Sequence, residues 1–216
     1  MNNTTIPMVI ATNNKGKTEE IREFLKDFPV TLKNLDDFGP IPPVVEDGET
    51  FDDNAYKKSS HTARILGMPA LADDSGLVVE ALNGAPGVFS ARYAGENAGD
   101  DELCNTLLNN MNGKSNRRAF FECVISIAVP AGPALTYEAR CEGLITQQSV
   151  GDKGFGYDPV FYYPELKKTF GEMTLEEKGR VSHRGRALRE LAGEFDKVLT
   201  WIRQHMPIPE RFDCKE

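Results

Sequence analysis

Residues 8–18 read Met-Val-Ile-Ala-Thr-Asn-Asn-Lys-Gly-Lys-Thr, and this stretch decides how the chain begins to fold. Residues 8–11 are apolar and predict a short buried strand, while the spacing of Ile21 and Leu25 predicts a helix over about residues 17–26. A loop between a strand and a helix N-terminus presents free backbone N–H groups and the positive end of the helix dipole to an anion. With two lysines in the loop, the stretch predicts a phosphate-binding site.

Two kinds of phosphate loop fit these residues. Residues 11–18 are one glycine short of the pattern G-x-x-x-x-G-K-[ST], which would indicate a P-loop NTPase that cleaves the terminal phosphate. Thr12, Asn14 and Lys17 also fit the pattern Thr-x-Asn-x-x-Lys, which would indicate an enzyme that cuts a nucleoside triphosphate nearer the sugar. A solvated turn with a helix cap is the third interpretation. The P-loop is disfavoured because the loop lacks a glycine-rich nest and no clear Walker B strand precedes Asp73.

The composition limits the classes of partner. The chain has 216 residues, is 40% hydrophobic and 27% charged, and carries a formal net charge of −8. Duplex binding needs a broad basic surface, so we expect no nucleic-acid partner. An acidic protein that binds an anion must gather its cations locally, which directs attention to Lys15, Lys17, Lys153, Lys178, Arg184 and Arg186.

The cysteines and the apolar runs predict a cytoplasmic protein. The four cysteines are widely spaced and form no C-x-x-C pair, which favours reduced thiols. We recognise no signal peptide at the N-terminus, and no apolar run approaches the roughly 20 residues that span a bilayer. We therefore expect no membrane contact.

The order of the predicted elements favours an α/β fold with a mixed sheet. Helices are predicted over residues 51–66 and 100–111, and one long helix from after Ser182 to about His205. Two long strand-like segments, about residues 118–129 and 134–145, predict an antiparallel hairpin.

Two acidic positions are candidates for chemistry. Asp73 and Asp74 end a short apolar strand, and because consecutive side chains of a strand point to opposite faces, only one can easily face a given site. That carboxylate would be a magnesium ligand and general base, with Glu46 as a second ligand, since Mg²⁺ takes one or two protein carboxylates beside substrate phosphates. The alternative is a turn in which Asp74 caps Ser75 and Gly76.

The segment Gly154-Phe155-Gly156-Tyr157-Asp158-Pro159 is typical of a loop that contacts a flat ligand. Glycines on both sides of an aromatic residue let the backbone approach closely, so Phe155 would stack on a base and Asp158 would accept a hydrogen bond from a ring nitrogen. A hairpin loop with a buried phenylalanine is the alternative.

Ser182-His183-Arg184-Gly185-Arg186 opens the last predicted helix. Ser182 is a favourable N-cap, but two cations in a first turn oppose the helix dipole. Such charges indicate an anion or a polarised oxygen opposite the helix end, unless they are merely structural.

Taken together and in order, these motifs resemble the inosine-triphosphate pyrophosphatase family, enzymes that remove non-canonical purine nucleoside triphosphates. The resemblance covers about residues 9–205 and leaves a tail at 206–216. The motifs that carry it are Thr12-Asn13-Asn14-Lys15-Gly16-Lys17, Glu46-Asp47-Gly48 with Asn54-Ala55, Ala72-Asp73-Asp74-Ser75-Gly76-Leu77, Gly84-Ala85-Pro86-Gly87 with Ser90-Ala91-Arg92-Tyr93, Phe155-Gly156-Tyr157-Asp158-Pro159, and Glu177-Lys178 with Ser182-His183-Arg184-Gly185. Asn13 and Asp53 depart from the residues usual in the family, glycine and glutamate.

The resemblance implies an elongated mixed α/β sheet with flanking helices in a single domain over residues 1–216, with two lobes around a nucleotide cleft. It implies a Mg²⁺-dependent homodimer that hydrolyses ITP, dITP and XTP to the monophosphate and pyrophosphate. Thr12 to Lys17 would hold the triphosphate, Asp74 would be the base and a metal ligand, and Glu46 would also hold the metal. The remaining substrate-site residues would be Ser75, Phe155, Gly156, Tyr157, Asp158, Lys178, His183 and Arg184. The rival hypotheses are a P-loop NTPase that releases orthophosphate and a nucleotide-binding module without turnover.

Overall fold

The structure is a computed structural model that describes residues 5–206. The predicted tail lies almost wholly outside the described residues. The strands, in chain order, are β1 (Ile6–Ile10), β2 (Val30–Asn34), β3 (Ala70–Val79), β4 (Arg118–Ala128), β5 (Ala134–Ile145), β6 (Phe161–Tyr163) and β7 (Lys168–Thr169). The α-helices are α1 (Lys15–Leu25), α2 (Phe51–Leu66), α3 (Asp100–Asn110), α4 (Leu175–Val181), α5 (His183–Gly193) and α6 (Phe195–His205). Short 3-10 helices occupy several of the connections.

The strands form one seven-stranded sheet in the order β2-β1-β3-β4-β5-β6-β7. The first three strands are parallel, and every later pair is antiparallel. This arrangement confirms the predicted mixed α/β fold. No helix in the described part of the chain is both long enough and apolar enough to cross a membrane.

Local sequence explains the bounds of α2, which agree with the prediction. Thr50 caps the helix by accepting a hydrogen bond from the backbone of Asp53, whose carboxylate in turn accepts one from the Thr50 backbone. This reciprocal pair satisfies two N–H groups that lack helical partners. Asp53 therefore completes the capping box with Thr50. The helix ends at Gly67, which has a φ of +64° that favours glycine.

The sequence underestimated β3. The apolar residues before Asp73 predicted a short strand that ends at Asp73 and Asp74, but β3 continues to Val79, and its pairing with β4 is continuous from Ala70↔Ala128 to Val79↔Ala119. The acidic residues in the middle are thus held in extended conformation by the neighbouring strand.

The prediction of one long C-terminal helix is wrong, because α5 and α6 are separate helices. The chain breaks at Glu194, with φ −115° and ψ 11°, directly after Gly193, a residue of low helix propensity. The break lets Leu188 of α5 and Phe195 and Ile202 of α6 pack into the same hydrophobic cluster.

Successive residues of β3 alternate between two layers of helices. Leu71 packs in the cluster formed by α1, α5 and α6, whereas Ala72 packs in the cluster that includes α2. By the same alternation Asp73 belongs to the first face and Asp74 to the second.

A notch in the sheet opens beside β3. β1 pairs with β3 only at Val9↔Ala70 and Ile10↔Leu71, and β1 then ends while β3 continues to Val79. From β1 the chain continues to β2, which pairs with one edge of β1, whereas β3 pairs with the other edge of β1. The notch therefore lies at a topological switch point, where the parallel strands on the two sides of β1 diverge. Ligands of open α/β sheets bind at the carboxyl ends of strands at such points.

Candidate active site

A cavity of about 660 Å³ occupies the notch and reaches both faces of the sheet. Most of the residues predicted for the site line it: Thr12, Asn13, Asn14, Lys17, Glu46, Asp74, Ser75, Phe155, Gly156, Tyr157, Asp158, Lys178, His183 and Arg184. Lys15 and Gly16 do not, and the Lys15 side chain faces solvent. The structure therefore brings together side chains that lie more than 160 residues apart in sequence.

The loop between β1 and α1 is built by its own polar side chains. Asn14 is the N-cap of α1 and accepts a hydrogen bond of 3.0 Å from the backbone N–H of Lys17. Thr12 Oγ1 accepts one of 3.2 Å from the backbone N–H of Asn14. No residue from 11 to 18 has a positive φ, so the loop does not form the nest of a P-loop.

Gly16 acts through close packing. A methyl group on its Cα would lie 2.3 Å from Cδ1 of Phe155, so only glycine leaves room for that ring. Gly16 thus fixes the distance between the phosphate loop and the aromatic loop, although it does not line the cavity.

Asp73 is fully buried and joins the loop to α5. Its Oδ1 lies 2.5 Å from Nζ of Lys17, and its Oδ2 accepts a hydrogen bond of 2.9 Å from Nε of Arg184. The Sγ–H of Cys123 and the hydroxyl of Ser75 also donate to it. Burial would raise the pKa of this carboxyl, but Arg184 and Lys17 outweigh burial and hold the pKa well below its usual value.

Asp74 lies on the opposite face, where Lys58 of α2 reaches it. Nζ of Lys58 is 2.5 Å from Oδ1 of Asp74 and 3.0 Å from Oε2 of Glu46, so the two predicted metal ligands converge on one ammonium. Burial raises the pKa of Asp74, and Lys58 and Lys17 oppose the rise only in part. The carboxylate is therefore a better proton acceptor than an exposed aspartate.

A second buried ion-pair group supports the aromatic loop. Nζ of Lys178 lies 2.5 Å from Oδ2 of Asp158, 2.7 Å from Oε1 of Glu20 and 4.5 Å from the centre of the Phe155 ring. Glu20 also pairs with Arg184. Acidic and basic groups therefore alternate without interruption from Lys17 through Asp73, Arg184, Glu20 and Lys178 to Asp158.

The start of α5 faces the same end of the cavity. Ser182 caps the helix by accepting from the N–H of Gly185, as predicted. The His183 ring stacks on Phe121 with centroids 4.6 Å apart, and its buried Nδ1 has no hydrogen-bond partner among residues 5–206. Burial, with Arg184, lowers the pKa of His183 well below its usual value, so the ring is neutral.

The charge of Arg184 is compensated within the protein. Its Nη2 donates to Ser75 Oγ at 2.9 Å, and its other nitrogens bond to Asp73 and Glu20. The anions expected opposite the α5 N-terminus thus include two carboxylates of the chain itself.

Sequence reasoning missed two charged residues, Lys58 and Glu20. Both side chains are largely buried. Each had a signal, because Lys58 is seven residues after Phe51 on the apolar stripe of α2, and Glu20 precedes Ile21 on the buried face of α1. A charge within an apolar stripe requires a buried partner.

The fold and the cavity define an α/β protein with a candidate ligand site at the carboxyl ends of parallel strands, beside two convergent carboxylates. The sequence profile of the Ham1 family matches residues 8–194, and the chain belongs to that family. This match, and the relatives below, confirm the family resemblance inferred from the motifs.

Relatives of high similarity carry one description. A dITP/XTP pyrophosphatase of Syntrophobacter fumaroxidans is 62% identical over 195 residues, which are 90% of this chain and 84% of the relative. A dITP/XTP pyrophosphatase of Desulfotalea psychrophila is 57% identical over 202 residues, which are 93% of this chain and 91% of the relative.

Solved structures agree with the fold. The Ham1 protein of Staphylococcus aureus superposes with a TM-score of 0.80 at 40% identity, over 89% of this chain and 99% of that protein. A HAM1 protein of Coxiella burnetii gives 0.82 at 40% identity, over 89% of this chain and all of that protein.

Proposed function

We propose that the protein hydrolyses non-canonical purine nucleoside triphosphates, ITP, dITP and XTP, to the nucleoside monophosphate and pyrophosphate. The observation that carries the proposal is the single cavity in which a phosphate loop, two convergent carboxylates and an aromatic loop meet. The descriptions of the close relatives support the same chemistry.

The two carboxylates fit a magnesium ion. Glu46 and Asp74 present oxygen atoms to one cation, the Lys58 ammonium, and Mg²⁺ is usually held by one or two carboxylates with the remaining ligands from water and substrate phosphates. When bound, Mg²⁺ would lower the pKa of a water molecule and neutralise charge on the phosphates.

Asp74 is the proposed general base. Its carboxylate accepts a proton from the water that attacks the α-phosphorus; the bond from that phosphorus to the bridging oxygen breaks, and pyrophosphate leaves. Burial raises the pKa of Asp74 in the metal-free protein, whereas a bound Mg²⁺ would lower the pKa of the attacking water and so supply much of the nucleophile.

Lys17 and the loop hold the departing phosphates. Lys17 is on the cavity wall, and its ammonium now contacts the buried Asp73. Thr12, Asn13 and Asn14 line the same wall, and the first turn of α1 supplies backbone N–H groups. Lys15 lies outside this wall and contributes at most long-range charge.

The other end of the cavity would recognise the purine base of the nucleotide. The aromatic loop from Phe155 through Gly156 and Tyr157 to Asp158 would contact the ring system, and the N–H groups of the first turn of α5, at His183 and Arg184, would donate to the purine O6. Hypoxanthine and xanthine offer an acceptor at O6 and a donor at N1, whereas adenine offers the reverse. Adenine would leave buried polar groups unpaired, and such mismatches discriminate strongly.

Ser75, Lys178 and Arg184 are assigned to holding this end in place. The guanidinium of Arg184 is engaged with Asp73, Glu20 and Ser75, and Lys178 is engaged with Asp158 and Glu20. Lys178 and Arg184 therefore act on the purine base indirectly, through the carboxylates and the Ser75 hydroxyl that they position.

We also propose that the chain acts as one domain, as a homodimer, in the cytoplasm. The family resemblance supports the first two statements, and the free thiols of Cys104, Cys123 and Cys141 support a reducing compartment. Light scattering after size exclusion tests the dimer, since a single 24 kDa species would contradict it.

Product identification tests the proposed reaction. The protein is incubated with dITP, XTP, ATP and GTP in the presence of Mg²⁺, and the products are separated by ion-exchange chromatography. We expect pyrophosphate and monophosphate from dITP and XTP. Orthophosphate from ATP or GTP would support a P-loop NTPase instead, and nucleotide binding without any product would support a binding module.

A further inference from the structure

Lys58 occupies the position where the two candidate metal ligands converge. Its ammonium contacts Asp74 and Glu46, and its side chain is only 9% exposed. The residue lies in the middle of α2, which packs against β3 and β4 through Phe51 and Ala55. The helix thus fixes the backbone of Lys58, and the two carboxylates hold its ammonium in place.

A cation that lies between two carboxylates disfavours the binding of a second cation at the same place. Glu46 and Asp74 together carry two negative charges, and Lys58 neutralises one of them, so the attraction for a divalent ion is reduced. An ion that took its place between the oxygens would also meet the positive charge at close range. In the nucleotide-free protein, Lys58 and a divalent ion therefore compete for the same two carboxylates.

A triphosphate changes this balance. It brings several negative charges into the cavity that Lys58 lines, which gives the ammonium an alternative partner. The flexible four-carbon stem of lysine permits such a movement without displacement of the helix. The carboxylates then become free at the moment when phosphate oxygens are present to complete the coordination of the ion.

We propose that Lys58 acts as a removable internal cation, which keeps divalent metal out of the nucleotide-free site and releases the carboxylates when the triphosphate binds. This inference rests on the proposed function, since it takes Glu46 and Asp74 as the metal ligands. Metal would then enter together with the nucleotide.

The test measures Mn²⁺ binding to the nucleotide-free protein, by electron paramagnetic resonance of the free ion. Lys58→Gln should bind Mn²⁺ at least tenfold more tightly than the unsubstituted protein, because one positive charge is removed. Lys57→Gln is the matched control, since Lys57 is the preceding residue and pairs with exposed Asp47 outside the cavity. Lys58→Arg keeps the charge and should keep the weak affinity.

A second measurement tests whether the triphosphate displaces Lys58 from the two carboxylates or Lys58 merely lies near them. With a non-hydrolysable α,β-methylene analogue of dITP bound, Lys58 should already have left the carboxylates, so the advantage of Lys58→Gln in Mn²⁺ affinity should disappear. An advantage that persists unchanged with the analogue, or no advantage without it, would overturn the proposal. If Lys58→Gln unfolds without metal, stabilisation by Mn²⁺ supports the proposal and no stabilisation contradicts it.

The outcome can be separated from that of the proposed function. Pyrophosphate released from dITP by the unsubstituted protein, combined with unchanged Mn²⁺ affinity in Lys58→Gln, would reject only the role of Lys58. Absence of pyrophosphate would reject the proposed function, whatever the metal affinities are.

Discussion

Asp73 and Asp74 are consecutive in sequence, yet their carboxylates serve opposite faces of β3. Asp73 is fully buried and bonds to Arg184 and Lys17, while Asp74 lines the cavity and contacts Lys58. Continuous pairing with β4 enforces this alternation. One carboxylate thereby faces the cavity while its neighbour holds the ion pairs behind it.

Asp74→Asn should remove activity and leave the fold largely intact. Loss of a general base lowers turnover by roughly 10²-fold or more, and the amide keeps the shape of the side chain. The measurement is kcat for dITP, with unfolding by urea as the check on the fold. Near-normal turnover would exclude Asp74 as the base.

The matched variant is Asp73→Asn. Because Asp73 is buried between Lys17 and Arg184, its neutralisation removes the carboxylate partner of Lys17 and leaves Arg184 paired with Glu20 alone, and we expect a loss of stability of about 3–5 kcal/mol. The two neighbouring substitutions should thus separate function from stability.

Much of the fold could be predicted from the sequence because its signals are local. Gly67 marked the end of α2, and the two long strand-like segments joined by a turn gave β4 and β5. Gly193 was a local signal for the break at Glu194 that the helix prediction did not use, whereas the continuity of β3 depends on pairing with β4 and could not be predicted in this way.

The site was predictable to the extent that its residues belong to motifs. The two misses, Lys58 and Glu20, are single charges on otherwise apolar helix faces, and their partners come from other elements. The engagement of Arg184 with Glu20 was equally invisible, because 164 residues separate them in sequence.

Lys17→Gln and Lys15→Gln should differ strongly. Lys17 lines the cavity, whereas the side chain of Lys15 is exposed and does not. Loss of a buried charge on a phosphate should lower kcat/KM for dITP by roughly 10²-fold, and loss of the outer charge by only a few-fold, through screened interaction. Equal losses in the two variants would mean that the phosphates lie outside the cavity.

Gly16→Ala should impair substrate binding. The added methyl group would lie 2.3 Å from Cδ1 of Phe155 and must displace that ring, so we expect KM for dITP to rise by roughly tenfold, on the scale of 1.4 kcal/mol. Gly193→Ala is the control, since its methyl group meets nothing within 4 Å and lies in a helix. An unchanged KM in Gly16→Ala would show that the position of Phe155 does not matter for binding.

Glu20 should make stability sensitive to acid. Burial alone would raise the pKa of this carboxyl, but Arg184 and Lys178 lower it from the usual 4.5 to about 2. A carboxyl with a lower pKa in the folded state stabilises the protein fully above pH 4.5, and this stabilisation is lost as the pH falls toward 2.

We therefore expect Glu20→Gln to be less stable than the unsubstituted protein by about 3–5 kcal/mol at pH 7, because Arg184 and Lys178 lose a buried partner. The difference should shrink by about 2 kcal/mol at pH 3, as Glu20 in the unfolded reference protein becomes protonated. Urea unfolding at pH 7, 5, 4 and 3 measures this, with exposed Glu19→Gln as the control that should follow the unsubstituted protein at each pH. A gap that stays constant from pH 7 to 3 would show that ionised Glu20 does not hold the two cations.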